Sequence, residues 1–414
     1  MNQEKNYLAA LDLGSTTSRA LVAEVLETGE EASQLRFCGL GEAVSRGWRK
    51  GAMADLEQVS GSVKQAVARA ETAAGVLVDS AVVGVGGAHI QGLTSHAGLT
   101  LSAQPREVNR DDVRRVMEAA RQISLGEDRE IYHMVPQEFL LDGQDGIRDP
   151  IGLQASRLEA KVHIISGAVA DSQNIVAAAN RAGIVVETMV GEAFAVGEAV
   201  LTPEEQEMGA LVVVLGGSHC DLAVYSRSSL RLSATIPVGG DHFTNDTAIG
   251  LQTSLEEAEG IKKLFGSVYA GGIHAGTSFE APGLGNRPSR LIPRSVLLGI
   301  LEPRAQELLG IILEWLRRSR LEHHLGGGVI LCGGGARLQG MCDLAEQFFA
   351  SPARLGLPPK ILEMPEMLES PEYATLLSLL LYGLRVRQLR MARQRPLATR
   401  WKGLLRRKSR EGAR

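Results

Sequence analysis

An α/β protein with two related halves around a cleft is the fold this sequence predicts, and three observations carry the prediction. Short apolar runs of strand length stop on glycine turns, at Tyr7–Leu13 before Gly14, Ser80–Val85 before Gly86, Leu211–Leu215 before Gly216 and Val329–Leu331 before Gly333-Gly334-Gly335. Segments with apolar residues at helical spacing lie between them. A strand-turn-strand unit at 7–25 recurs at 211–225, which suggests duplicated halves, at a separation too large for a solenoid. In an open α/β sheet such turns gather at the carboxyl edge, where ligands bind.

Taken in order, Tyr7–Leu13 and Arg19–Val25 read as strands around Asp12-Leu13-Gly14-Ser15-Thr16-Thr17. Residues 55–74 have helical spacing, and 109–122 combines an Asn or Asp cap, early acids and apolar residues at Val113, Val116, Met117 and Ala120, the signature of a helix start and one buried face. Ile131–Leu141 and Leu158–Ile165 read as strands around a polar loop, and 171–182 as a helix ending at Gly183. After the second strand-turn-strand, 253–265 and 296–320 read as helices separated by a hairpin around Phe279–Leu291, and Pro371–Arg395 as a long helix whose second half turns basic.

Composition narrows the classes. The 414 residues are 44% hydrophobic, 22% charged and 4% aromatic, with 47 glycines, which excludes a disordered chain and favours α/β over an all-β sandwich. Cys38, Cys220, Cys332 and Cys342 lie far apart, so reduced thiols are expected. The start shows no signal-peptide organisation and no long apolar run occurs, so neither export nor a membrane span is indicated. The net charge of −4 conceals an asymmetry, because residues 385–414 carry +11 and the rest −15. Such a tail reads as a contact for nucleic acid or an anionic membrane. In a helix over 397–410, Leu397, Trp401, Leu404 and Leu405 form one stripe with Arg400, Lys402, Arg406, Arg407 and Arg410 around it. That is the pattern of an interfacial anchor. A single aromatic and no reader fold make nucleic acid the weaker reading.

The order of motifs carries more than any one of them. DxGST at 12, GGxxxD at 216 and LCGGGA at 331 have the form of the two phosphate turns and the adenosine turn of the actin, Hsp70 and sugar-kinase superfamily. The segment from Asn109 to Ile165, with IPVGGDHFTNDTAIGL, EAEGIKK, LEPR and HHLGGGVILCGGGARLQG, closely resembles the bacterial cell-division FtsA family over residues 7 to 384. The resemblance implies an actin-like fold with ATP and Mg²⁺ in its cleft. It implies a large first subdomain at 1–84, 163–198 and 366–384, interrupted by an inserted subdomain at 85–162. The second half then takes 199–242 and 303–365, with a small subdomain at 243–302, a basic helix or linker at 385–396 and a membrane-targeting tail at 397–414. By the same resemblance Asp12, Gly14, Ser15 and Thr16 form the first phosphate turn, with Asp12 holding a water of Mg²⁺. Gly216, Gly217 and Ser218 form the second, Gly239 and Gly240 a further phosphate-facing turn, and Gly333, Gly334 and Gly335 the adenosine turn. Glu259 and Lys262 approach ribose and base, and Glu192 takes the place of a water-orienting carboxylate. The implied role is a self-assembling polymer that tethers FtsZ to the cytoplasmic face of the membrane at the septum, other division proteins docking on the inserted subdomain. Arg287, Arg290, Arg294 and Arg304 either form a basic face for an acidic peptide or are ordinary solvated arginines.

Departures from the family pattern are chemical. Where the family carries an Asp at the second strand end and Thr-Thr after the glycines, this chain has Val214 and His219-Cys220, and Ser218 replaces a glycine. Loss of one of two carboxylates around a hydrated Mg²⁺ weakens that ion's site, so nucleotide binding is expected to be weak or lost and hydrolysis very slow or absent. The competing readings are an actin-like adaptor of a type IV pilus platform, which does not need a Trp-containing basic tail, and an active ATPase or phosphotransferase, against which Val214 argues.

Overall fold

The computed structural model describes residues 6–27, 33–272, 276–285 and 287–394. The first half begins with an antiparallel meander of β1 (Tyr7–Leu13), β2 (Thr17–Glu27) and β3 (Ser33–Val44), followed by a small ribbon, β4 (Trp48–Arg49) and β5 (Ala52–Met53). Helix α1 (Leu56–Ala74) then leads into β6 (Ser80–Val85), which lies parallel to β1. Asp55 caps α1 by accepting from the amides of Glu57 and Gln58, and Gly75 closes it in the left-handed region.

A separate layer is inserted at this point. It comprises β7 (Gln91–Thr100), β8 (Arg106–Glu107), α2 (Arg110–Arg121), β9 (Arg129–Leu141), β10 (Gln144–Ile147), β11 (Gln154–Ala155) and β12 (Arg157–Ala168). Strands β10, β9, β12 and β7 form one antiparallel sheet in that order. The start of α2 is fixed by a capping box between Asn109 and Asp112. Alternation along β12 turns Leu158, Ala160, Val162 and Ile164 toward α2, where Val116 and Ala120 complete a small core. The opposite face meets the second half of the molecule.

The first sheet is completed by α3 (Val169–Arg181) and β13 (Val185–Gly191), which lies parallel to β6, and α4 (Glu192–Val200) and α5 (Pro203–Met208) lead out of it. The second half repeats the plan. Strands β14 (Ala210–Leu215), β15 (Cys220–Ser226) and β16 (Ser229–Ile236) form an antiparallel meander. Next come α6 (Gly240–Leu251), α7 (Leu255–Phe265), the hairpin β17 (Ser278–Ala281) and β18 (Arg290–Pro293), and the long helix α8 (Arg294–Arg318). Strand β19 (Gly328–Cys332) joins parallel to β14, and after α9 (Met341–Phe349), β20 (Ala353–Leu355) joins parallel to β19. Both five-stranded sheets therefore run third, second, first, fourth, fifth in their own order of appearance. Finally α10 (Ala374–Gln394) returns to pack on α4 and β1 of the first half.

Strand β14 is the wall between the two cores. Val212 and Val214 belong to the core of the first half, and Leu211, Val213 and Leu215 to that of the second. A strand buried on both faces has no place for a polar residue, which is why it reads as an unbroken apolar run. Helix α6 has the opposite history. Its sequence is rich in Gly, Thr, Asn and Asp and gives no helical signal, yet Phe243, Thr247 and Leu251 are buried and the first amides bond to the second glycine turn, Gly240 to Gly216 and Asp241 to Gly217. Tertiary contact overrides propensity here.

The seam between the inserted layer and β16 is polar and closed. His163 Nε2 meets Ser233 Oγ at 2.8 Å, Gln137 Nε2 donates to the Leu230 carbonyl at 2.7 Å, and Ser229 Oγ donates to the Gln137 carbonyl at 2.8 Å. Burial pushes His163, and likewise His133 at the first half, down to about 4. Both rings are neutral in the folded protein, whereas an unfolded chain takes up their protons near 6.5. Stability is therefore expected to fall as pH drops from about 6.5 toward 4, by on the order of a few kcal/mol in total. Urea midpoints across that range check this, and His163→Gln should flatten the slope.

Candidate functional site

The glycine turns converge at one place. The first, after β1, and the second, after β14, touch each other: a Cβ on Gly217 would lie 2.0 Å from Thr16 Oγ1 and 3.0 Å from Ser15 Oγ. Only a residue without a side chain allows that approach. With the third turn they open on a cavity of about 370 Å³, whose walls include Asp12, Gly14, Ser15 and Thr16 on one side and Gly216, Gly217 and Ser218 on the other. Gly333, Gly334 and Gly335 close one end, and Gly240, Glu259 and Lys262 stand on the wall formed by α6 and α7.

Gly239 is set differently from the expected phosphate-facing position. It packs behind the second turn, where a Cβ would meet the Gly217 carbonyl oxygen at 2.4 Å, and the Gly240 amide already donates to Gly216. The adjoining wall is rigid: Lys262 Nζ lies 2.5 Å from Glu259 Oε2 and donates to the Gly240 carbonyl at 3.0 Å and to Thr244 Oγ1 at 2.8 Å. Lys263 pairs with the other oxygen of Glu259 at 3.2 Å. The Ser15 hydroxyl is buried and has no hydrogen-bond partner. A buried hydroxyl without a partner is costly unless a ligand completes it. Glycine turns, this donor and the cations on the wall suit a polyphosphate.

The floor of the cavity holds what the sequence reading passed over. His219 and Asp221, two residues apart on entry to β15, point to the same side, and His219 Nε2 lies 3.1 Å from Asp221 Oδ2. His219 Nδ1 meets Ser218 Oγ at 3.0 Å. Asp221 is buried, accepts from Thr235 Oγ1 and lies directly across from Val214 on β14. Asp12 stands on the adjoining floor, 4.0 Å from Arg19 Nη1, and Glu192 opens α4 beside them. The signal in the sequence was the alternation His-x-Asp immediately after a glycine turn.

Charges in this group move one another. Burial pulls His219 down, but the charge and hydrogen bond of Asp221, with Glu192 and Asp12, outweigh it and lift the imidazole to about 9. Burial pushes Asp221 up, and His219 overcomes this to hold it below the usual carboxylate range. Asp12 is raised by burial, offset in part by Arg19 and His219. Glu192 is raised well above the usual carboxylate value by burial and by the nearby Asp12 and Asp221, with His219 acting the other way. A histidine raised from 6.5 to about 9 contributes stability that is complete below pH 6.5 and is lost as pH rises through 9. The melting temperature is expected to decline over that interval, and His219→Asn to remove the decline.

Magnesium does not fit this floor. It requires a near-octahedral shell of oxygens and waters. Here one wall is the apolar Val214, and the His219 imidazole lies against the Asp221 carboxylate. Glu192, His219 and Asp221 each offer a ligand atom within 4.8 Å of one another, a mixed nitrogen and oxygen set.

The four arginines expected on the small subdomain are turned partly onto their own chain. Arg287 donates to Gln252, Arg290 to the Leu251 carbonyl, and Arg294 to the Phe265 carbonyl and Gln339. Arg304 is held by Asp246 at 2.6 Å and by Glu307. Arg287 and Arg290 are the exposed pair. The tail residues Leu397, Arg400, Trp401, Lys402, Leu404, Leu405, Arg406 and Arg407 lie outside the described residues.

Comparison with known proteins agrees with this layout. The family model described as "SHS2 domain inserted in FTSA" matches residues 87–166, and that of "Cell division protein FtsA" matches residues 211–378. The curated cell division protein FtsA of Pseudomonas aeruginosa is 37% identical over 382 residues, 92% of this chain and 90% of that one. The chain belongs to the FtsA family of cell-division proteins. Among solved structures, that of the PilM-PilN type IV pilus biogenesis complex matches with a TM-score of 0.63 at 16% identity, covering 91% of this chain and 98% of that one. MreB5 of Spiroplasma citri bound to ADP matches with a TM-score of 0.54 at 13% identity, covering 92% and 98%. The fold of this FtsA-family chain is actin-like, with its cleft between the duplicated sheets. No described helix is long and apolar enough to cross a membrane.

Proposed function

We propose that this FtsA-family protein assembles as an actin-like polymer and tethers FtsZ filaments to the cytoplasmic face of the membrane at the septum, through the amphipathic stripe at 397–410. Family membership over nine-tenths of the chain carries this reading. The basic tail supports it, because a stripe of Leu397, Trp401, Leu404 and Leu405 ringed by cations is an interfacial anchor. Arg287 and Arg290, exposed beside the β17–β18 hairpin, are the residues we assign to an acidic FtsZ peptide. The cleft takes a nucleoside polyphosphate such as ATP, held by Ser15, the glycine turns and Lys262. Other division proteins dock on the inserted layer.

Hydrolysis is slow or absent in this reading. A carboxylate that orients attacking water must be ionised to accept its proton, and burial together with the nearby Asp12 and Asp221 disfavours the ionised form of Glu192. Turnover is expected far below the order of 1 s⁻¹ that is ordinary for enzymes, and phosphate release at that rate would overturn this part. The tethering itself is tested by co-sedimentation of FtsZ polymers with vesicles rich in anionic lipid. FtsZ should enter the vesicle pellet only when the full chain is present, and Arg287→Glu with Arg290→Glu should release FtsZ while the chain stays bound. A chain that binds vesicles and leaves FtsZ in the supernatant would overturn the assignment.

A further inference from the structure

The short ribbon of β4 and β5 is strapped between the two phosphate turns. At its entrance Ser45 is tied to the first turn, its amide donating to the Thr16 carbonyl at 3.0 Å and its hydroxyl to the Gly14 carbonyl at 2.6 Å. At its tip Gly51 meets the second turn, where a Cβ would lie 3.1 Å from Ser218 Oγ. The base is pinned as well. The Gly47 carbonyl accepts from the amides of Ala54 at 2.8 Å and Asp55 at 3.0 Å, and the Arg46 amide donates to Ser62 Oγ on α1 at 3.1 Å. The ribbon is therefore a fixed part of the site.

Trp48 stands midway between Ser45 and Gly51. Its ring packs against the core of the first half, and the residue lines the cavity. The indole nitrogen is buried and has no hydrogen-bond partner among the described residues. A buried indole N–H ordinarily finds an acceptor, because an unmet donor forfeits its hydration for nothing. Packing thus places the ring and leaves the N–H for a ligand. Arg19, Lys262 and Lys263 line the same cavity and already supply positive charge. The indole donates without charge, so it adds direction, and the partner it suits is an oxygen held at one position. Ser15 Oγ, the other unpartnered donor here, lies where the first and second turns touch, whereas the third turn packs on Leu215.

We propose that the indole N–H of Trp48 is a binding donor for the terminal phosphate of the nucleotide, and that it lets the cleft distinguish a nucleoside triphosphate from a diphosphate. The inference rests on the nucleotide reading of the cleft given above and goes beyond it by naming the group that reads the number of phosphates. A diphosphate seated with its base at the third turn ends one phosphate short of the ribbon and leaves the indole unmet.

The test is titration of ATP and of ADP into the full chain and into Trp48→Phe, which keeps an aromatic ring and removes the N–H. The substitution is expected to lower ATP affinity about tenfold or more, the scale of one hydrogen bond to a charged group, and ADP affinity by less than about threefold. A second readout leaves Trp48 intact. The chain has three tryptophans, so Trp315→Phe with Trp401→Phe leaves a single indole, whose N–H proton resonance should shift downfield with ATP and hold its position with ADP. Equal losses for ATP and ADP in Trp48→Phe, or an indole resonance that responds alike to both, would make Trp48 a wall of the cavity and overturn the proposal. An ATP affinity unchanged by Trp48→Phe overturns it too and leaves the nucleotide reading standing. Binding of neither nucleotide by the parent chain overturns both.

Discussion

Gly86→Val is expected to abolish ATP binding and to lower stability by about 3 kcal/mol or more, the cost of leaving one member of a buried ion pair uncompensated. The side chain has nowhere to go. Its first carbon would sit 2.6 Å from Asp221 Oδ2 and 2.9 Å from His219 Nε2, and the branches would extend further. Asp221 cannot retreat, because it is buried, holds Thr235 and faces Val214 across the ladder. Either β6 shifts, disturbing the parallel pairing of β1 and β6 at the base of the cavity, or His219 is driven from Asp221. Both outcomes change the same observables, thermal midpoint and nucleotide affinity. Gly86→Ala should do less of each, since only the single Cβ is added. An unchanged midpoint in Gly86→Val would show that the floor is looser than these distances require.

How much of this was legible in the residues depends on what held each element. Strand β14 and helix α1 were readable because their signals are local: an unbroken apolar run for a strand buried on both faces, and an Asp cap, helical period and terminal glycine for the helix. Strand β3 was not readable, because SQLRFCGLGEAV mixes charges and glycines and its alternation is imposed by pairing with β2. Helix α6 was missed for a related reason, since its first turn is held by carbonyls of a loop more than twenty residues earlier. At the site, the glycine turns and Asp12 could be placed from motif order, and Val214 could be recognised as a missing carboxylate. What replaces that carboxylate could not. The approach of Glu192 and Asp12 to His219 is a property of two strands and a helix from different halves, and the upward shift of Glu192 follows from burial that only packing creates. For the same reason Arg304 looked available in the sequence and is committed to Asp246 on α6.

Trp401→Glu combined with Leu405→Glu is expected to reduce partitioning onto anionic vesicles by about a hundredfold or more. The stripe at 397, 401, 404 and 405 is short, so each large apolar residue carries a sizeable share of the contact. Moving an indole and a leucine out of the interface forfeits roughly 3 kcal/mol or more, and each new carboxylate is repelled by an anionic leaflet. The cations act differently. Arg406→Gln and Arg407→Gln should each weaken binding by about 1 kcal/mol and only on anionic lipid, an effect that rising salt removes. Gly403→Ala should strengthen binding a few-fold, since glycine costs about 1 kcal/mol of helicity relative to alanine. Helix α10 supplies the mechanical connection, because Arg385 pairs with Glu198 at 2.8 Å and Arg387 donates to the Tyr7 carbonyl at 3.3 Å, fixing the helix that leads to the tail against the first half. Vesicle flotation with mixed and purely zwitterionic lipid separates the two contributions. Equal loss from the apolar and the basic variants on zwitterionic vesicles would sink the interfacial-anchor assignment, since charge neutralisation has no partner there.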